Sequence, residues 1–204
     1  MRVLVIYAHP VETSFNAALH AAAVAGLARA GHEVDDLDLY AEGFQPVLSR
    51  AERLAYHDES VNQAGVKPYV ERLKRAEAVV FVFPTWSYGV PAILKGFFDR
   101  VLLPGVSFRI TPERRVVPLL DHIRALAAVV TYGGPWWAVR CVVGDLPRWH
   151  ITRYFRRACA RGVRARYHAL YDMNRASEAR RKYRVMCQRG RSPITQRTAH
   201  HGPP

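Results

Sequence analysis

Phe81-Val-Phe-Pro-Thr-Trp-Ser-Tyr-Gly-Val-Pro-Ala-Ile-Leu-Lys-Gly-Phe-Phe-Asp-Arg-Val101 decides how this chain is read. The run leading into it, Ala78 to Phe83, is apolar and rich in β-branched and aromatic residues, which predicts a strand buried on both faces of a parallel sheet. Ala92 to Val101 predicts a helix, with Pro91 at a first-turn position. The loop between them, Pro84 to Val90, carries Trp86, Tyr88 and Gly89. Loops at the carboxyl ends of buried strands are where open α/β sheets bind ligands. Two aromatics beside a glycine suit a flat ring system. Taken alone, the same residues also fit a tight turn with two packing aromatics.

Moving outward, Arg2 to Tyr7 predicts a first buried strand, and an Ala-rich helix runs to Ala30. Thr13 or Ser14 can cap that helix and Gly31 can end it. A loop with His9 that leads into a capped helix start is a ready anion site, because free N–H groups and the positive dipole end point above the strand. Gly-x-Gly-x-x-Gly and the P-loop pattern are both absent. Glu33 to Leu39 alternates apolar and acidic residues, as an edge strand does. Tyr40 to Val66 is polar and irregular, with a short helix expected near 49–56. Pro68 to Ala76 predicts an amphipathic helix. Short extended pieces are expected at Val106–Ile110 and Val116–Leu120. Ala125 to Thr131 predicts another buried strand that runs into Tyr132-Gly-Gly-Pro-Trp-Trp137. One helix with a basic face is expected from Asp145 to Ala160, then a last strand at Arg166–Leu170 and a final helix from Ser177 to about Gly190. The alternation argues a doubly wound, mostly parallel sheet. Right-handed crossovers put the three unusual loops, after the first, third and fourth sheet strands, at one edge, which favours a ligand site there.

The 204 residues suit one domain, expected over 1–190, with a disordered polar tail at 191–204. The net charge of +13 is confined to the last quarter: residues 148–204 hold 15 Lys and Arg against two acids, Asp172 and Glu178. That excess fits a membrane surface or an acidic partner, or simply a solvated basic face. No nucleic-acid motif accompanies it, so nucleic acid is not expected. Cys141, Cys159 and Cys187 are scattered without metal spacing, and no secretory signal follows Met1, so a reducing cytoplasm is the expected setting. No Ser-His-Asp, Cys-His or paired-carboxylate pattern is present.

Three stretches carry a family resemblance: Ala8-His9 with Thr13-Ser-Phe-Asn16, Phe83 through Arg100, and Thr131-Tyr-Gly-Gly134. Over about residues 1–149 the chain resembles the flavodoxin-like NAD(P)H:quinone oxidoreductases, the DT-diaphorase family and its smaller bacterial relatives. The resemblance implies a flavodoxin-like five-stranded parallel sheet of order 2-1-3-4-5 and a bound flavin, FAD where Thr-Ser-Phe-Asn is intact and FMN as the alternative. It implies that His9, Ser14, Phe15 and Asn16 hold the phosphate part. Pro84, Thr85, Trp86, Ser87 and Tyr88 would line the ring, and Thr131, Tyr132, Gly133 and Gly134 would close its other side. The implied activity is two-electron transfer from NAD(P)H to a quinone or similar small electrophile, in a homodimer with the site at the subunit boundary. Some relatives are instead ancillary subunits of membrane potassium-efflux systems, a role to which the cationic C-terminal region could contribute. Larger members place a Tyr and a His after the Gly-Gly loop. Here Val143 stands at the His position, before Gly144-Asp145, and Trp136 and Trp137 lie near the Tyr position. No catalytic side chain is assigned from the sequence.

Overall fold

The computed structural model describes residues 1–178 and Arg181. Five strands form one parallel sheet: β1 (Arg2–Tyr7), β2 (Glu33–Asp38), β3 (Ala78–Pro84), β6 (Ala125–Thr131) and β7 (Arg164–Leu170). Their order is β2-β1-β3-β6-β7, which is 2-1-3-4-5 when the sheet strands alone are counted. A separate antiparallel hairpin, β4 (Phe108–Ile110) and β5 (Val116–Pro118), occupies the excursion where short extended pieces were expected. The final helix beyond Glu178, Cys187, the domain boundary at 190 and the tail at 191–204 lie outside the described residues. No helix among the described residues is long and apolar enough to cross a membrane.

The apolar runs of the inner strands follow from burial on two sides. Leu4, Ile6, Val79, Phe81, Phe83, Leu126, Ala128 and Val130 enter one core. Their alternate neighbours, including Val3, Val5, Val80, Val82, Ala127 and Val129, enter the other, beneath α1 (Phe15–Arg29). With a side-chain period of two, a strand covered on both faces must be apolar at every position. Gly31, with φ +78°, takes the left-handed position after α1 and donates to Ala28 O, so the helix stops where Gly31 was expected to stop it.

On the first face lie α3 (Lys67–Arg75) and α4 (Ala92–Val101). The irregular 40–66 segment is tied to α4. α2 (Arg50–Leu54) begins with a reciprocal capping box, in which Ser49 Oγ accepts from Glu52 N–H and Glu52 returns the bond to Ser49 N–H. Arg100 of α4 donates to Glu52 and to Gln45 O, and its guanidinium lies 5.5 Å from the Phe44 ring centroid. Gly96 sits directly against Pro46.

The single basic helix expected from Asp145 to Ala160 is not regular. It is built as α5 (Leu146–Trp149), a π-helical segment His150–Phe155 and α6 (Arg156–Ala158), and a further π-helical turn, Ala138–Val143, precedes it. Ile151 and Phe155, four residues apart, share the buried face, while the Thr152 hydroxyl bonds back to Arg148 O at 2.8 Å. Phe155 meets Phe81 of β3 edge-on at 5.2 Å, a contact worth about 1 kcal/mol beyond its area.

Of the two described cysteines, Cys141 is exposed and Cys159 is buried. Burial pushes the Cys159 thiol up to about 12 from 9.0. The unfolded thiol ionises first, so stability from this group is complete below pH 9 and is lost as pH rises towards 12. Iodoacetamide at pH 8, read by peptide mass spectrometry, is expected to modify Cys141 and to reach Cys159 only in denaturant. Modification of Cys159 in the native state would contradict its burial.

Candidate flavin site at the carboxyl edge of the sheet

Three loops meet at one edge. After β1, His9 accepts Val11 N–H at Nδ1 (3.0 Å), which puts the ring proton on Nε2. Its ring lies 5.9 Å from that of Trp86 in the loop after β3. Thr85 of that loop donates through both its N–H (2.8 Å) and its hydroxyl (3.2 Å) to Thr131 O at the end of β6. Asn16 Nδ2 donates to Thr131 Oγ1 at 2.9 Å and joins the start of α1 to the same strand. A Cβ placed on Gly134 would stand 3.2 Å from Tyr88 Oη, so Tyr88 lies over the Gly-Gly loop.

The start of α1 has the chemistry of an anion cradle. Ser14 Oγ accepts from Ala17 N–H at 3.1 Å, while the N–H groups of Phe15 and Asn16 find no acceptor among the described residues. No acid occupies the first turn. Asn16 is only 6% exposed, and its Oδ1 is buried without a partner. Two free donors, the positive end of a 15-residue helix and an unsatisfied carboxamide oxygen fit a group with both phosphate oxygens and hydroxyls. The Phe15 side chain packs against the core beneath α1, so its contribution is its N–H.

The β3–α4 loop makes a tight turn, in which Trp86 and Gly89 exchange N–H···O bonds of 3.2 and 2.9 Å. The left-handed residues are Ser87 (φ +49°) and Tyr88 (φ +57°), not the glycine. Two consecutive left-handed non-glycine residues match the dihedral signs of a type I′ turn and cost about 1–2 kcal/mol each. The strain keeps Trp86 (42% exposed) and Tyr88 (40%) out of the core and over the edge. Pro84 is buried as the last residue of β3.

The Gly133 and Gly134 N–H groups also find no acceptor among the described residues. A Cβ on Gly133 would lie 2.6 Å from Nδ2 of the exposed Asn174, a flexible amide end that can swing aside. Tyr132 turns the other way. Its N–H donates to Leu170 O at 2.8 Å, and its fully buried side chain donates from Oη to Asp145 Oδ1 at 2.5 Å. Tyr167 Oη stands 2.5 Å from Tyr132 Oη and, with that proton committed to Asp145, is the donor between them. Burial raises both phenols far above their ordinary range, so both stay neutral donors. Asp145 (φ +45°) follows Gly144 (φ +93°), and this left-handed pair swings the carboxylate back under the loop. The sequence reading missed this group of Tyr132, Asp145 and Tyr167. The Gly-Asp pair was the visible signal for a left-handed reversal.

The family model for the flavodoxin-like fold matches residues 1–183. The chain belongs to this flavodoxin-like family. Among its relatives are the NAD(P)H:quinone oxidoreductases, as the three sequence stretches implied. NAD(P)H dehydrogenase [quinone] 1 of Rattus norvegicus is 34% identical over 161 residues, covering 71% of this chain and 59% of the rat protein. Ribosyldihydronicotinamide dehydrogenase [quinone] of Homo sapiens is 36% identical over 148 residues, covering 65% of this chain and 64% of the human protein. The chain thus spans under two thirds of the length of these curated relatives. Among solved structures, the NAD(P)H:quinone oxidoreductase from Methanothermobacter marburgensis superposes with a TM-score of 0.77 at 27% identity, covering 93% of this chain and 96% of that one.

Proposed function

We propose that this flavodoxin-like protein is a flavin-dependent NAD(P)H oxidoreductase that reduces quinones or similar small electrophiles, with FAD as its resident cofactor. The observation that carries this reading is the meeting of an unfilled helix start, an exposed aromatic turn and a pair of free glycine N–H groups at a single edge. The names of the relatives supply the nicotinamide and quinone classes. The intact Thr13-Ser-Phe-Asn16 supports FAD over FMN.

In this reading Phe15 N–H, Asn16 N–H and the Ser14 cap bind the phosphates, with His9 Nε2–H beside them. Trp86 and Tyr88 bind the ring by stacking. Gly133 and Gly134 N–H donate to its polar edge, where anionic charge builds on reduction. Bound flavin supplies the two-electron chemistry, so no nucleophilic side chain is needed. Trp86, Tyr88, Trp136 (56% exposed) and Trp137 (54%) leave the edge open in a single chain. A second subunit covering it would exclude water, which supports a homodimer with the site at the boundary. The scattered thiols support a cytoplasmic setting.

The full-length protein is expected to purify yellow, to bleach with NADPH or NADH and to reoxidise with a quinone. Chromatography of heat-released flavin is expected to identify FAD. A colourless protein that takes up neither FAD nor FMN would end the proposal. Trp86→Ala is expected to weaken flavin retention by about 1–3 kcal/mol through lost ring contact. Unchanged affinity would move Trp86 out of the site.

A further inference from the structure

The aromatic turn after β3 holds one side chain in a backbone conformation it resists. The left-handed backbone falls on Tyr88 (φ +57°) and not on the adjacent Gly89. Such strain persists where the surrounding structure enforces it, and it collects at sites with a task. Here the enforcement is visible. Trp86 and Gly89 close the turn, and Thr85 ties its base to Thr131 O through both its N–H and its hydroxyl. Tyr88 is therefore aimed. Its Oη comes within 3.2 Å of the place that a Cβ would take on Gly134, and its Cε1 within 3.7 Å. The phenol O–H stands beside the free N–H groups of the Gly-Gly loop and has no hydrogen-bond partner among the described residues.

The other polar groups of this edge are unsuited to deliver a proton there. The Tyr132 proton is committed to Asp145, and the Tyr167 proton to Tyr132, beneath the loop. Asp145 and Asp172 present carboxylates, acceptors rather than donors, and an arginine does not give up its proton. The Thr85 hydroxyl is used on Thr131 O. His9 follows β1, and β3 lies between that strand and β6, whose loop Tyr88 overlies.

We infer that Tyr88 is a catalytic residue, the proton donor to the acceptor. This inference rests on the flavin reading above. A quinone becomes a hydroquinone by taking up two electrons and two protons. Hydride transfer brings both electrons and one proton, and the second oxygen still needs a proton. Tyr88 supplies it: the phenol O–H bond breaks, the hydroquinone O–H bond forms, and the tyrosinate recovers a proton from water, which reaches a side chain that is 40% exposed. Before transfer the same hydroxyl donates a hydrogen bond to the acceptor's carbonyl and orients it.

The test is Tyr88→Phe in the full-length, flavin-loaded protein. The ring that stacks is kept and only the hydroxyl is lost, so flavin content and melting temperature are expected to stay with the wild type's. The protein is reduced with dithionite without oxygen, and its reoxidation is timed with duroquinone, which takes up protons, and with ferricyanide, which takes up none. The ratio of the duroquinone rate to the ferricyanide rate is expected to fall at least about tenfold, short of the full contribution of a positioned proton donor because water also reaches the edge. A second readout needs no turnover. Titration of the oxidised protein with duroquinone, followed by flavin absorbance, is expected to show binding about three- to tenfold weaker in Tyr88→Phe, the range for one lost hydrogen bond. A smaller fall in the ratio, equal losses with both oxidants, or duroquinone binding as tight as in the wild type would overturn the assignment. A wild-type protein that takes up no flavin would end the functional reading and this inference with it; a yellow protein whose ratio does not move would end this inference alone.

Discussion

Gly96→Ala is expected to lower the stability of the protein by about 3 kcal/mol in urea denaturation, although alanine is the better helix former. In an exposed helix the exchange would gain about 1 kcal/mol. Here the new Cβ would stand 2.2 Å from Pro46 O and 2.4 Å from Pro46 Cα. Those are backbone atoms of a segment held by Arg100 and Glu52, so no flexible side-chain end can swing away. Either α4 shifts off the sheet or the 40–66 segment detaches, and both routes expose Phe44 and Phe97, which lie 5.8 Å apart. A midpoint unchanged within error would mean that Pro46 is not seated on Gly96.

The second large effect is at Asp145. Asp145→Ala is expected to cost about 3 kcal/mol, the sum of a charge-assisted hydrogen bond and a left-handed backbone that alanine resists. Asp145→Asn keeps an acceptor for Tyr132 Oη and tolerates φ +45°, so it is expected to cost only about 1 kcal/mol. Tyr132→Phe removes the donor while keeping the ring, which stacks on Tyr171 at 4.9 Å. If the double variant Asp145→Ala with Tyr132→Phe costs less than the sum of the two single variants, the shared bond accounts for the shortfall; full additivity would separate them. Asp145→Asn as damaging as Asp145→Ala would show that the negative charge, and not the acceptor, matters there.

The sheet was legible because inner strands covered on both faces are apolar throughout, so Ala78–Phe83 and Ala125–Thr131 announce themselves. The edge loops were legible because Gly133-Gly134 and the aromatic turn interrupt those runs at their carboxyl ends. What escaped was set by contacts between distant segments. Nothing local in Gly96 says that Pro46 will rest on it. Gly89 was read as a neighbour suited to a flat ring, yet the left-handed backbone of its turn falls on Ser87 and Tyr88, which nothing local in the motif marks. Tyr132 read as a rim residue by its place in the motif. Strand alternation sends it into the core, where the reversal at Gly144 brings Asp145 to meet it. The basic helix was expected as one regular piece because its apolar spacing is compatible with an ordinary helix; nothing local in the segment marks the π-helical turns.

The bond from Asn16 to Thr131 spans 115 positions of the chain. A polypeptide growing on a ribosome therefore cannot close the edge when its first helix forms. It must wait until the strand ending at Thr131 has cleared the exit tunnel and paired with β3. Closure of the edge is thus a late event in the life of the molecule, and truncation products that stop short of this point would leave the synthetic machinery with that edge open, however well their opening β-α unit had formed.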